Sequence, residues 1–241
     1  MSTFIVAECG INWRDLGEAK KMLEVFKECG ADACKFQWYK ESAVAGHPRV
    51  DELKKIMFTP EMAKELKEHA ESVDIDIFWT PSYTQAVDEL EKLDVNRYKI
   101  RSKDAVNTSL LKKVLQTGKE TLISVASDRL DWGSLEDEKA MYRVKLLYCI
   151  QRYPAKDEEV HLKWAFPALR SYIGSNEYVG YSDHTTGITA CIAAVAMGAQ
   201  IVEKHVMLNR EFDWIDSPVS VTPVEFKDMV YHIRRAEVMR A

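Results

Sequence analysis

Several features that mark whole function classes are scarce or missing in this sequence. Its five cysteines, Cys9, Cys29, Cys34, Cys149 and Cys191, are odd in number and show no CxxC spacing. That pattern excludes a zinc ribbon and a disulfide framework. Most of them sit in apolar stretches, where a thiol packs as a small hydrophobe, and a reducing, cytoplasmic compartment is the expectation. Long apolar runs are missing too. The longest, around Ile188 to Met197, falls far short of the roughly 20 residues that cross a bilayer, so no membrane partner is expected. The chain enters a strand-like run within a few residues of Met1, which leaves no room for a signal peptide. Excess basic charge is also absent, with 33 Lys and Arg against 38 Asp and Glu, a net charge of −5. Nucleic-acid-binding domains are usually strongly basic, so nucleic acid is not an expected partner. A mildly acidic exterior still leaves room for a locally positive pocket.

What is present is the composition of an ordinary globular protein, 46% hydrophobic and 29% charged over 241 residues. Short apolar runs alternate with longer amphipathic segments. The spacing predicts strands at Phe4–Ala7, Ala33–Gln37, Asp76–Trp79, Arg97–Ile100, Thr121–Val125, Val144–Cys149, Tyr178–Tyr181 and Ile201–His205. Helices are predicted over Leu16–Cys29, Thr59–Ser72, Thr84–Leu93, Asn107–Thr117, Leu135–Met141, Leu162–Tyr172, Gly187–Met197 and Thr222–Arg240, with Gly30 as the stop of the first. The stretch from Tyr39 to Met57 reads as a long loop. Buried strands alternating with helices imply a parallel sheet, because parallel strands need a crossover between them. Eight such units with nothing left over point to a closed (β/α)8 TIM barrel, a single α/β domain spanning 1–241. An open doubly wound sheet is the alternative, and the lack of a GxGxxG after the first strand counts against it.

In a (β/α)8 barrel the chemistry sits at the C-terminal ends of the strands. The polar residues there are Glu8, Lys35, Gln37, Thr80, Lys99, Ser102, Ser124, Gln151, Tyr153, Ser182, Asp183, His184, Lys204 and His205. A lysine inside an apolar strand is costly to bury unless paired, so Lys35, Lys99 and Lys204 are each read as functional or as salt-bridge partners of Glu8 or Glu203. Lys204 is the weakest candidate, because strand alternation turns it away from the side His205 faces. His184 and His205 close neighbouring strands and are close enough to share one divalent ion, for which Mn, Fe, Co or Zn suits imidazole better than Ca. His47, His69, His161 and His232 are read as surface residues.

These residues carry a resemblance. The opening Ile5-Val6-Ala7-Glu8-Cys9-Gly10-Ile11-Asn12 resembles the start of the sialic acid synthase family, whose members make nonulosonic acids from phosphoenolpyruvate and an amino-sugar aldehyde. The likeness continues through Gly30-Ala31-Asp32-Ala33-Cys34-Lys35-Phe36-Gln37, Thr80-Pro81, Lys99-Ile100 with Ser102, and Tyr153-Pro154. It is strongest in Gly180-Tyr181-Ser182-Asp183-His184-Thr185-Thr186-Gly187-Ile188 and in Glu203-Lys204-His205. The resemblance implies that Lys35, Thr80, Lys99, Ser102, Ser124 and Ser182 bind phosphoenolpyruvate. It implies His184 and His205 as ligands of Mn or Mg, which would polarise the acceptor aldehyde, and Glu8 as the proton-handling carboxylate. Gln37, Tyr153 and Asp216 resemble acceptor-contacting positions, and Gln151 is read as a further substrate-binding candidate. Family members commonly form homodimers, which leaves a homodimer open here.

Three departures affect the acceptor. The chain ends with the eighth helix, so the small C-terminal antifreeze-like domain usual in the family is expected to be missing. Trp13 stands where histidine is common, and Gln151-Arg152 precedes Tyr153 in place of an Asn-containing pair. Ser124-Val125-Ala126-Ser127 departs from Ser-Thr-Gly-Met. Trp13, Trp38, Trp79 and Trp214 map to strand ends, either packing the loops or forming an aromatic platform for the acceptor, with Trp38 the named candidate. Two other readings stay open: a Schiff-base aldolase using one of the lysines, and a non-catalytic paralogue that binds sugar or phosphoenolpyruvate.

Overall fold

The computed structural model describes residues 2–126, 144–173 and 179–240. Eight parallel strands close into a barrel in sequence order: β1 Phe4–Gly10, β2 Ala33–Trp38, β3 Asp76–Pro81, β4 Arg97–Ile100, β5 Glu120–Ala126, β6 Val144–Cys149, β7 Val179–Asp183 and β8 Ile201–His205. The barrel closes where β1 pairs with β8, Glu8 standing opposite His205. The helices among the described residues are α1 Leu16–Glu28, α2 Glu41–Val44, α3 Val50–Lys55, α4 Pro60–Ser72, α5 Thr84–Glu91, α6 Thr108–Leu115, α7 Leu162–Ile173, α8 Thr189–Ala196 and α9 Pro223–Arg240.

The segment expected to be one long loop, Tyr39 to Met57, contains the two short helices α2 and α3. They were hidden because neither is long enough to show a helical period; Leu53 is the one residue they bury. The helix expected over Leu135–Met141 and the strand residue Tyr178 lie outside the described residues. Elsewhere the helix ends carry the expected chemistry. Asp15 caps α1 by accepting from the Glu18 amide, Thr59 caps α4 through Met62 N with Pro60 in the first turn, and Asn107 caps α6 through Leu110 N. Gly30 follows α1 at φ +95°, the left-handed conformation that ends a helix without a Cβ penalty.

Strand alternation sorts every side chain to one of two cores. Outward residues such as Ile5, Ala7, Phe36, Trp79, Tyr98, Ile123, Tyr181 and Val202 pack under the helices. Inward residues Val6, Ala33, Phe78, Leu122, Leu147 and Ile201 form a small apolar plug inside the barrel. Gly180 belongs to this plug because no side chain fits: a Cβ there would lie 2.8 Å from the Ile201 carbonyl oxygen and 2.9 Å from Leu147 Cγ. Arg97 closes the opposite end, over the Phe4 ring at 4.4 Å and paired with Asp76 at 2.9 Å. The plug leaves the upper part of the barrel for polar side chains.

Candidate active site

One inward step above the apolar plug comes a ring of buried polar groups. Glu8, Lys35, Thr80, Lys99, Ser124, Ser182 and Glu203 share the inward parity of the plug residues and are all almost fully enclosed. Lys35 Nζ lies 2.6 Å from Glu8 Oε2 and 3.8 Å from Glu203 Oε2, and it donates to Thr80 Oγ1 at 3.1 Å. Lys99 Nζ donates to Glu203 Oε1 at 2.6 Å, and Ser182 Oγ donates to the same oxygen at 2.8 Å. Both lysines are therefore paired with Glu8 or Glu203, as one of the two sequence readings required.

The two carboxylates differ in character. Burial opposes ionisation of Glu203, but the charges of Lys35 and Lys99 and the bonds from Lys99 and Ser182 overcome it and hold its carboxyl well below the usual range. Burial dominates at Glu8 and pushes it up to about 7, with Glu203 adding to the rise and Lys35 pulling the other way. The cluster thus sets Lys35 and Lys99 against one firm carboxylate and one whose ionisation burial opposes. Its surplus is positive.

The sign of this effect on stability is testable. A carboxyl whose folded pKa is raised contributes stability below the unfolded value, and that contribution is lost as pH rises through the folded pKa. Glu8 should therefore erode stability between about pH 4.5 and 7. In Glu8→Gln that decline is expected to disappear from a plot of denaturation midpoint against pH, whatever the level of stability at pH 5. An unchanged slope would contradict the assignment.

Above the cluster lies a cavity of about 510 Å3 lined by these groups other than Thr80 and by Gln37, Arg101, Ser102, Lys103, Cys149, Gln151, Tyr153, His184, Ile215 and Asp216, with His205 on its wall. His184 is fixed from two sides. Its Nδ1 bonds the Ile150 carbonyl oxygen at 2.5 Å, so that nitrogen carries the proton and Nε2 is left as an acceptor, facing the Tyr153 hydroxyl at 2.7 Å. The Tyr153 ring stacks on His184 at 4.0 Å between centroids, and the two imidazoles are 5.6 Å apart. Burial lowers His184 to about 4 and takes His205 well below its ordinary value, so both rings are neutral at pH 7. His205 Nδ1 is buried without a hydrogen-bond partner; Asp216 Oδ2, 3.5 Å away, is the nearest carboxylate oxygen, and burial raises that carboxyl to about 6. Gly10 gives this wall its shape. A Cβ there would stand 3.2 Å from Glu8 Oε1 and 3.5 Å from both Asp216 Oδ2 and Gln37 Nε2.

Two neutral imidazoles, one with an orphaned nitrogen and one with its tautomer set by a backbone carbonyl, are donors that fit a divalent ion. No group of three or more His, Cys, Asp or Glu among the described residues is arranged to hold a metal. The imidazoles would be the protein's main share of the coordination, and water or substrate oxygens the rest.

A second buried pair stands behind these ligands. Asp183 and Lys204, neither of them accessible to solvent, meet at 2.8 Å on the outward face. Lys204 Nζ also donates to the Thr185 carbonyl at 2.6 Å, and Asp183 accepts from Thr185 N, the Tyr181 hydroxyl and the Cys191 thiol. His184 lies between Asp183 and Thr185, so this network sets the backbone that carries it.

Sequence profiles and solved structures agree with this geometry. The NeuB family profile matches residues 22–241. Over 260 residues the chain is 32% identical to the N,N'-diacetyllegionaminic acid synthase of Campylobacter jejuni subsp. jejuni, covering 98% of this chain and 76% of that one. It is 30% identical to the human N-acetylneuraminate-9-phosphate synthase, covering 97% and 70%. The crystal structure of an N-acetylneuraminic acid (sialic acid) synthetase from Leptospira borgpetersenii, in complex with citrate, superposes with a TM-score of 0.90 at 29% identity, covering 99% of this chain and 85% of that one.

The chain belongs to the NeuB family.

In this NeuB-family barrel most of the residues singled out in the sequence converge on one cavity, while Thr80, Asp183, Lys204 and the four tryptophans do not line it. Thr80 lies beneath it, reached through Lys35. Trp38 leaves it altogether. Lys35 and Gln37 face inward along β2, so Trp38 must face outward, where it stacks on Phe58 at 5.9 Å and donates its indole N–H to Glu89 at 2.8 Å. Trp13 and Trp79 join the same outer cluster and Trp214 packs near Phe212 at 6.0 Å, so of the two readings the tryptophans follow the packing one and no aromatic platform is assembled. Sequence reading passed over Glu203 as a site residue, and it overlooked Arg101, Lys103 and Cys149. Parity was the available signal for three of them, since Glu203 shares the face of His205, Arg101 that of Lys99 and Cys149 that of Leu147.

Proposed function

We propose that this chain condenses phosphoenolpyruvate with an amino-sugar aldehyde, giving a nonulosonic 2-keto acid and inorganic phosphate. The observation that carries this reading is the positive surplus of the buried Lys35–Lys99–Glu203–Glu8 cluster directly beneath two neutral imidazoles. An anionic enol donor supplies the missing negative charge at the floor, with Ser102 and Ser124 offering hydroxyl donors around it and Ser182 holding Glu203 in place. C3 of the enol then attacks the aldehyde carbon, forming the new C–C bond. Water adds at C2, and the C–O bond to phosphate breaks as the ketone forms. Glu8, half protonated near pH 7, has the acidity to exchange a proton with the reacting oxygens. Gln37, Gln151, Tyr153 and Asp216 line the part of the cavity left for the acceptor. His184 and His205 would hold Mn or Mg, which when bound polarises the acceptor's carbonyl.

The Schiff-base alternative requires a neutral, accessible lysine. Burial does lower Lys99, but its ammonium is engaged by Glu203 at 2.6 Å. Borohydride with a carbonyl substrate is expected to leave the protein unmodified. The metal assignment is checked without turnover: Mn(II) binding followed by electron paramagnetic resonance should weaken roughly 100-fold in His184→Ala and leave the fold intact. Equal Mn(II) affinity in the two proteins would remove His184 from the metal site.

A further inference from the structure

Tyr153 is placed to do more than touch an acceptor. His184 commits Nδ1 to the Ile150 carbonyl oxygen, so Nε2 carries the one free lone pair of that ring. The Tyr153 hydroxyl takes it, at 2.7 Å. The Tyr153 ring also lies against both imidazoles, stacked on His184 at 4.0 Å and edge-on to His205 at 5.6 Å. A divalent ion shared by the two histidines needs the same Nε2 lone pair, because the other nitrogen is already spent. Hydroxyl and ion therefore compete for one atom.

The segment that carries Tyr153 is built to let its side chain move. Ile150 holds the His184 ring through its carbonyl oxygen, and Ala155 N donates to the His184 carbonyl oxygen at 2.8 Å. Between these two anchors Gln151, Arg152, Tyr153 and Pro154 are all exposed and belong to no helix or strand. Tyr153 is itself 49% exposed, so swinging its ring off His184 sacrifices little buried apolar surface. His184 stays where its anchors hold it.

We propose that Tyr153 is a switch that couples the metal to the acceptor: its hydroxyl covers His184 Nε2 until a divalent ion displaces it, and the displaced hydroxyl then bonds the acceptor sugar. The proposal rests on the condensation reading. It makes the two ligands cooperative, since binding at His184 releases the hydroxyl and capture of the hydroxyl by a sugar uncovers Nε2. Linkage requires the two effects to be equal in size. The covered conformation also lowers the apparent metal affinity in proportion to its population.

The test is Mn(II) binding followed by electron paramagnetic resonance in wild type, Tyr153→Phe, Tyr153→Ala and His184→Ala, with no substrate present. Loss of the competing hydrogen bond is expected to tighten Mn(II) by about threefold to tenfold in both Tyr153 variants. A second arm measures an N-acetylhexosamine by calorimetry with and without saturating Mg(II). Wild type should bind the sugar more tightly with the ion, and Tyr153→Phe should lose at least about half of that gain. Unchanged or weaker Mn(II) affinity in both Tyr153 variants would overturn the switch, and so would an undiminished gain in Tyr153→Phe. Failure of the underlying reading looks different: Mn(II) would then bind His184→Ala as well as wild type, which removes the ion from His184 whatever the Tyr153 variants do.

Discussion

Glu203→Gln is expected to be the most destabilising single substitution in the barrel interior, costing about 3–5 kcal/mol at pH 7. Glu203 is the firm anion between two enclosed ammonium groups, 2.6 Å from Lys99 and 3.8 Å from Lys35. A glutamine keeps the shape and one acceptor but leaves Lys99 with no charged partner. Breaking a buried pair from one side costs more than the pair contributes, because the surviving charge stays desolvated. For a chain of this size the loss corresponds to a fall in melting temperature of roughly 10 °C, measurable by calorimetry. The pH dependence gives a second readout. Glu203 has a depressed folded pKa, so its contribution is present above the unfolded carboxyl value of about 4.3 and is lost as pH falls through the folded one. The gap between wild type and Glu203→Gln should therefore be full at pH 7 and begin to close below about pH 4.3. A gap that persists undiminished into strong acid would mean that Glu203 matters by shape and not by charge.

Lys99→Met should produce the largest loss of activity. Methionine fills similar space, so the fold survives, and Glu203 retains Lys35 and Ser182 as partners. What disappears is one of the two cations at the floor, and with it the positive surplus. Removing one preorganised donor from an enclosed site typically costs 10²–10³-fold in rate, and about that fall in kcat/KM for phosphoenolpyruvate is expected. The loss should appear mainly in the donor's kinetic constants, with acceptor affinity little changed. Near-wild-type kinetics in Lys99→Met would place the donor elsewhere.

The barrel was legible in the sequence because buried parallel strands read as short apolar runs, and eight of them alternate with amphipathic segments. Most of the site was legible for a related reason. Lys35, Lys99 and His205 are polar interruptions in those runs, where polarity is costly. Trp38 shows the limit of that reasoning. Mapping a residue to a strand end says nothing about which face it takes, and the inward parity of Lys35 and Gln37 already sent Trp38 to the helix side. Lys204 obeyed the same rule: it lies outside the barrel against Asp183, supporting the turn that carries His184. Arg101 and Lys103 went unnoticed because charged residues just past a strand look like solvated loop. Only the closed barrel shows that they overhang the cavity. The helices α2 and α3 were hidden by their shortness.

The central claim is that this cavity joins an enol donor to an aldehyde with loss of phosphate. The most direct measurement supplies phosphoenolpyruvate with Mn or Mg and follows phosphate release across a panel of neutral, phosphorylated and carboxylated N-acetylhexosamines. The account predicts release that depends on the acceptor, matches the 2-keto acid formed one for one, and is lost in Lys99→Met. Absence of phosphate release with every acceptor, from protein that binds both phosphoenolpyruvate and metal, would contradict it.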